Sequence, residues 1–307
     1  MIEPMVLLGP TAAGKTDVSL DLAEQMNAEI ISLDSRQIFK GLEIGSAAPT
    51  KEQQERITHH LVSCIEPSHP MSAGEFGRLA QAAIAEIKGR GKNVLMVGGS
   101  GLYLRAALGG LDDELPKDVE SRAKLHERME TEGLKALHEE LAEIDPKSAE
   151  RISPGDSHRV LRALELYVIT GKPASQLRTK GRRTDIPSRV VILHRDLEDL
   201  EERIEQRAEN MVKAGLEQEV RALVDQGLTL ETPVMRSVGY RETLDYFEHK
   251  DADQWVRKIV TGTRRYAKRQ RTWFRGLTHA HWFLLEGSED TQATAEELGE
   301  IFEQLEL

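Results

Sequence analysis

Short apolar runs alternate with amphipathic stretches through the first third of the chain. Met5 to Leu8, Ala28 to Leu33 and Asn93 to Val97 read as buried strands. Between them, Lys15 to about Met26 reads as a helix. Ser72 to Lys88 reads as another, with Phe76, Leu79, Ala80, Ala83, Ile84 and Ile87 at helical spacing and Gly89 closing it. A further helix follows Gly98-Gly99-Ser100-Gly101-Leu102-Tyr103. Strand and helix in alternation predict an α/β fold, a parallel sheet flanked by crossover helices. Ligands of such sheets sit at the carboxyl ends of the strands.

The pattern changes after Gly109-Gly110. From about Asp113 to Arg183 the chain is charged, helical in period and free of strand candidates, with punctuation at Asp145-Pro146, Ser153-Pro154-Gly155 and Gly171-Lys172-Pro173. Arg189 to His194 resumes as a core strand. A helix from about Leu200 to Gln226, stopped by Gly227, and further helices complete the chain. The expected organisation is an α/β core in two parts, residues 1–112 and 187–307, interrupted by an all-helical insertion at 113–186.

The first strand runs into Gly9-Pro10-Thr11-Ala12-Ala13-Gly14-Lys15-Thr16, the G-x4-G-K-[ST] pattern of a phosphate-binding P-loop. The glycines allow a tight turn that aims several N–H groups into one concavity, and the following helix adds its positive end. Lys15 supplies a point charge, and the Thr16 hydroxyl can hold Mg²⁺ beside a phosphate oxygen. Asp34 ends the second strand beside this loop, where a carboxylate can take a proton from a nucleophile or cap a turn. Thr11 places a hydroxyl inside the loop, within reach of a bridging or leaving oxygen. The third of these strands ends in Val97-Gly98-Gly99 without the acid that holds metal in a typical ATPase. Those glycines suggest close backbone approach to a ligand or another segment. His59-His60 lacks a second ligand pair at metal spacing and reads as structural.

Charge changes the picture only through its distribution. The net charge is −11, yet Trp255 to Arg275 holds Arg257, Lys258, Arg264, Arg265, Lys268, Arg269, Arg271 and Arg275 and no acid. Arg264, Lys268, Arg271 and Arg275 fall on one helical stripe, with Tyr266, Trp273 and Phe274 interleaved; phosphate contact with base stacking suits RNA. The single cysteine, Cys64, excludes an internal disulfide. With no run of membrane-spanning length and a phosphate loop starting at residue 9, a cytoplasmic protein is expected.

Taken together, several motifs resemble the tRNA dimethylallyltransferases (tRNA isopentenyltransferases) of the bacterial type. They are Gly9 to Thr16, Asp34-Ser35-Arg36-Gln37, His59-His60-Leu61, and Val97 to Tyr103. Arg159 to Glu165 with Thr170 to Pro173, Arg203-Ile204 with Arg207, and Gly215-Leu216 follow in the family's order. Ser237-Val238-Gly239-Tyr240-Arg241 and Lys268-Arg269-Gln270 with Thr272-Trp273 complete the set. The resemblance implies a P-loop core and a helical insertion that grips the anticodon arm. It implies transfer of a dimethylallyl group from dimethylallyl diphosphate to N6 of adenosine 37 in tRNA, using Mg²⁺; a monomer is expected because one asymmetric RNA arm suffices as partner. On the same basis Asp34 is the expected base and Thr11 the contact to the bridging oxygen. Lys15, Thr16 with Mg²⁺ and Arg207 neutralise the diphosphate, and Ser100 and Arg122 line a channel. Asp34, Ser35, Arg36 and Gln37, then His158, Arg159, Val160, Leu161 and Arg162, face the tRNA. So do Arg236, Ser237, Val238, Gly239, Tyr240 and Arg241, with Lys268, Arg269, Arg271 and Arg275. The chain departs from the family's usual pattern in having Ser100 for threonine, Phe39 for tyrosine and Ala48 for lysine. Two other readings share the core: a prenyltransferase acting on free adenine nucleotides, and a small-molecule kinase with Arg178, Arg182 and Arg183 in a lid.

Overall fold

The computed structural model describes residues 3–109, 115–177, 189–287 and 290–305. Its centre is a six-stranded sheet in the order β3-β2-β4-β1-β5-β6, with every pairing parallel. The strands are β1 (Met5–Leu8), β2 (Ala28–Leu33), β3 (His59–His60), β4 (Asn93–Gly98), β5 (Arg189–His194) and β6 (His281–Leu284).

β1 and β2 are buried along their whole length because helices cover both faces. Their side chains alternate between two cores with the period of two that a pleated strand imposes. Val6, Leu8, Ile31, Leu33, Met96 and Ile192 join one core, built with the Ala73–Gly89, Leu197–Lys213 and Ala252–Phe274 helices. Met5, Leu7, Ile30, Leu95, Val191 and Leu193 join the other, with the Lys15–Gln25 and Thr291–Gln304 helices. Each fully buried aliphatic side chain contributes about 1.5–3 kcal/mol, so the sheet interior is the main source of stability here.

Register positions the chemistry. Leu8 and Leu33 both pair with Gly98, so the chain leaves β1, β2 and β4 at one level and sends Gly9, Asp34 and Gly99 to the same edge. β1 and β4 are neighbours with β5 on the opposite flank, which makes this the point where the strand order reverses.

By its contacts the chain divides into Met1–Leu108 with Thr184–Leu307, and Gly109–Arg183. The described residues of the second unit form helices only, around a separate core of Leu125, Leu137, Leu141, Val160, Leu164 and Leu166. Arg178, Arg182 and Arg183, the residues of the kinase-lid reading, lie outside the described residues.

Four expectations need correction. The helix expected over 200–226 is two helices, Leu197–Lys213 and Leu216–Asp225, broken where Gly215 takes φ +103°. β6 interrupts the stretch expected to be purely helical, and an edge strand not expected, β3, falls between β2 and the Asn93 strand in sequence. That strand extends to Gly98.

Candidate active site

The P-loop is turned by two left-handed residues, Ala12 (φ +66°) and Gly14 (φ +94°). Four of its carbonyls are held by cationic side chains. Lys15 Nζ donates to Gly9 O (3.0 Å) and Pro10 O (2.8 Å), Arg203 Nε to Ala12 O (3.2 Å) and Arg195 Nε to Ala13 O (3.0 Å). No side chain caps the Lys15–Gln25 helix, so its first-turn amides keep no side-chain acceptor. Such an end favours an anion.

Gln270 ties this loop to the end of β4. Its Oε1 accepts from Thr11 N (2.9 Å) while Nε2 donates to Gly99 O (3.1 Å). The glycines at 98 and 99 are required by these approaches: a Cβ on Gly98 would strike Leu33 O, and one on Gly99 would strike Gln270 Nε2. The close partner is therefore another protein segment in each case.

Asp34 caps the turn that follows its strand. Oδ1 accepts from Arg36 N (2.7 Å) and Gln37 N (3.3 Å), which fixes the turn. Oδ2 is left as the oxygen available to a ligand. Nearby, Arg207 Nη2 donates to Ser46 O (3.2 Å). Burial lowers the Arg207 pKa, against the opposing charge of Asp34. Burial also brings Lys15 down to about 8, helped by the like charge of Arg207 and opposed by Asp34. Both cations are thus held by neutral carbonyls, close enough to feel one carboxylate.

These residues line a cavity of about 1,320 Å³ that includes Thr11, Lys15, Thr16, Asp34, Arg36, Gln37, Arg207 and Tyr266. Its apolar wall, with Met211, Val238 and Ile259, suits a short hydrocarbon chain. Tyr266 is the aromatic of the basic helix that enters the cavity, and burial raises its phenol pKa, as does the charge of Asp34. Sequence reasoning gave no role to Arg195, Arg203 or Gln270, although the resemblance contained the last two. Their partners lie 182, 191 and 259 residues away in sequence.

The other sequence-predicted residues divide by exposure. Lys268, Arg269 and Arg275 are exposed on the Ala252–Phe274 helix or at its end, and Arg271 is half-buried. The aromatic part of the stacking expectation fails for Phe274, which is fully buried; Trp273 is half-buried and packs over Gly101, whose Cβ would collide with its ring. Arg264 of the stripe pairs with Glu205 (2.7 Å) and Glu201 (3.2 Å).

Tyr240 is also buried, with its hydroxyl 2.8 Å from Glu219 Oε1, and Val160 and Leu161 belong to the helical unit's core. Those three side chains present no surface to an RNA. Arg236 pairs with Glu231 (3.0 Å), Arg241 with Glu242 (2.6 Å), and Ser237 Oγ donates to Val234 O (2.6 Å). Gly239, at φ +95°, starts the next helix and donates its N–H to Glu242 Oε2. Val238 lines the cavity.

In the helical unit His158 and Arg159 are exposed, whereas Arg162 and Arg122 both bind buried Glu165, at 2.8 and 3.0 Å. Arg162 also donates to Leu115 O and Pro116 O (2.9 Å each). Ser100 Oγ caps its own helix, accepting from Tyr103 N (3.4 Å). His60 bonds Glu29 (2.7 Å), which Arg90 also holds (2.6 Å). Among the described residues no three His, Cys, Asp or Glu converge as a metal cluster, and no helix is long and apolar enough to cross a membrane.

The family described as IPP transferase matches residues 37–277. A protein of Salinibacter ruber named tRNA dimethylallyltransferase is 43% identical over 91% of this chain and 86% of its own length. One from Geobacillus kaustophilus with the same name is 40% identical over 95% and 94%. The crystal structure of a tRNA isopentenylpyrophosphate transferase from Bacillus halodurans superposes with a TM-score of 0.70 at 32% identity, covering 99% of this chain and 98% of that one. A structure of a eukaryotic dimethylallyltransferase acting on tRNA gives a TM-score of 0.77 at 26% identity, over 97% of this chain and 78% of that one. These proteins match the chain over most of its length, and the chain belongs to the IPP transferase family.

Proposed function

We propose that the protein transfers a dimethylallyl group from dimethylallyl diphosphate to N6 of adenosine 37 in tRNA, releasing diphosphate. The observation that carries this reading is the juxtaposition of two cations without carboxylate partners, Lys15 and Arg207, with Asp34 on one cavity wall. The names of the relatives, all tRNA dimethylallyltransferases or isopentenyl transferases, point to the same chemistry.

In the proposed reaction the C1–O bond to the diphosphate breaks and its electron pair leaves with the oxygen, while a C1–N6 bond forms. An aromatic amine is a poor nucleophile, so removal of its proton by Asp34 as that bond forms lowers the barrier. Charge grows on the departing diphosphate, and the loop amides, Lys15 and Arg207 meet it in place. Thr11 faces the same cavity and reaches the bridging oxygen in this reading. Met211, Val238 and Ile259 pack the hydrocarbon and exclude water. The target base leaves its stack to enter the cavity, which favours a loop adenosine over one in a duplex.

Mg²⁺ fits the donors present. The exposed Thr16 hydroxyl stands at the helix start on the cavity wall, a hard oxygen suited to a cation that keeps most of its waters and shares phosphate oxygens. When bound there, the ion would supply further neutralisation of the leaving group. The exposed cations Lys268, Arg269 and Arg275, with His158 and Arg159 of the helical unit, supply phosphate contacts for the anticodon arm. A monomer acting in the cytoplasm completes the reading.

Mass spectrometry of unmodified tRNA incubated with the protein, Mg²⁺ and dimethylallyl diphosphate tests it. The expected result is a five-carbon gain at adenosine 37 that disappears in Asp34→Ala. Prenylated AMP with untouched tRNA in a parallel sample would move the protein to the free-nucleotide enzymes.

A further inference from the structure

One wall of the cavity includes a short turn whose later amides bond within it, Ser46 N to Leu42 O (3.1 Å) and Ala48 N to Glu43 O (2.9 Å), while its first amides do not. The Glu43–Ser46 helix is a single turn whose N-cap, Leu42, has no side-chain acceptor to offer. Its first amides would therefore be orphans. Glu219, on the separate Leu216–Asp225 helix, supplies the missing acceptors. Oε2 accepts from Ile44 N (2.7 Å) and Oε1 from Gly45 N (2.8 Å).

Tyr240 completes the arrangement from a third element. Its hydroxyl donates to the same Oε1 at 2.8 Å, and its ring is wholly buried against Gly45, where a Cβ would come within 2.5 Å of the phenol. Burial raises the carboxyl pKa of Glu219, opposed by the bonds from Gly45, Ile44 and Tyr240. The hydroxyl of Ser46 is buried without a partner and does not anchor the turn.

The far end of the turn meets the reacting groups. Ser46 O accepts from Arg207 (3.2 Å), and Ala47 O accepts from Gln37 Nε2 (3.0 Å), whose backbone amide in turn bonds Asp34. A displacement of the turn would move the acceptors of both side chains. We propose that Glu219, with Tyr240, is a positioning residue for the transfer reaction: it caps the 43–46 turn from another helix and thereby fixes Arg207 and Gln37 at the cavity. The proposal rests on the reading of that cavity as the diphosphate site. It also gives Tyr240 a role inside the protein rather than against RNA.

Glu219→Gln tests this role with little change of shape, because its amide nitrogen puts a donor opposite one of the two backbone donors while its oxygen still serves the other. Arg207 acts chiefly on charge that develops as diphosphate leaves. The variant should therefore lose about tenfold or more in kcat, with KM for dimethylallyl diphosphate changed less than about threefold. Tyr240→Phe keeps the carboxylate and both backbone bonds, and should lose only about two- to fivefold.

Hydrogen exchange should rise at Ile44 and Gly45 in Glu219→Gln while amides of β1 and β4 keep their protection. Calorimetric titration with inorganic pyrophosphate runs alongside, so that a wild-type protein without transferase activity would sink the functional reading but still test this one. In that arm the Glu219→Gln variant should bind pyrophosphate at least threefold more weakly. Unchanged kcat and pyrophosphate affinity in the folded variant would overturn the proposal. So would a loss in kcat no larger than the loss of folded protein, read from the melting curve at the assay temperature.

Discussion

The molecule holds its cations in two ways. Lys15 and Arg207 in the cavity bond only to backbone carbonyls, and their pKa values are lowered by burial. Arg122, Arg162, Arg241 and Arg264 bind carboxylates at 2.6–3.2 Å. Arg56 and Arg90 do the same, and the hydrogen bonds they donate to Glu24 and Asp21 and to Glu29 and Glu86 raise their pKa values. A cation paired with a carboxylate has little field left for a ligand, whereas one held by a carbonyl keeps most of its charge. Carbonyl-held charge on a cavity wall marks where an anion fits; Arg189, which bonds Phe302 O at the start of β5, lacks the cavity.

The comparison can be broken most severely at Lys15. Lys15→Met removes a carbonyl-held charge while keeping the side chain's length, and transfer should fall about 10³-fold or more by initial-rate assay. Arg207→Lys keeps a charge but loses the planar fork, and a fall of about 10- to 100-fold is expected, mostly in kcat. Arg264→Ala, which removes a paired surface cation, should change kcat by less than twofold and stability by less than about 1 kcal/mol, read from the melting curve. A large loss at Arg264, or a negligible one at Arg207, would invert the distinction between the two groups.

The residues at the strand ends were legible in sequence because each lies in a local pattern. The P-loop follows an apolar run, and Asp34 ends another. Most of what steadies them was not legible. Gln270, Arg195 and Glu219 act on segments 171 to 259 residues away, and a polar side chain's burial against a distant partner leaves no local trace. The same physics explains the misread stripe on the Ala252–Phe274 helix. Spacing gave its face, but only packing decides that Phe274 is core, that Tyr266 enters the cavity and that Arg264 finds Glu205. β3 is two histidines long, and His281–Leu284 lies on an exposed sheet edge, so neither carries the unbroken apolar signature of β1. The helix period ran through Gly215 because apolar spacing resumes at Leu216.

Lys15 offers the most direct test of the central claim, that uncompensated charge in the cavity awaits a diphosphate. With its pKa near 8 in the ligand-free site, against 10.5 normally, the folded protein binds fewer protons than the unfolded chain between those values. The burial of Lys15 is therefore a stability cost below pH 8 that lifts as pH rises toward 10.5. A bound anion should restore the proton. Calorimetry of pyrophosphate binding at pH 8 in buffers of different ionisation heat would count it, with Lys15→Met as the reference. The account predicts that the wild-type protein takes up about half a proton more than the variant at pH 8 and no more than the variant at pH 6.5. Equal uptake by both proteins at pH 8 would contradict it.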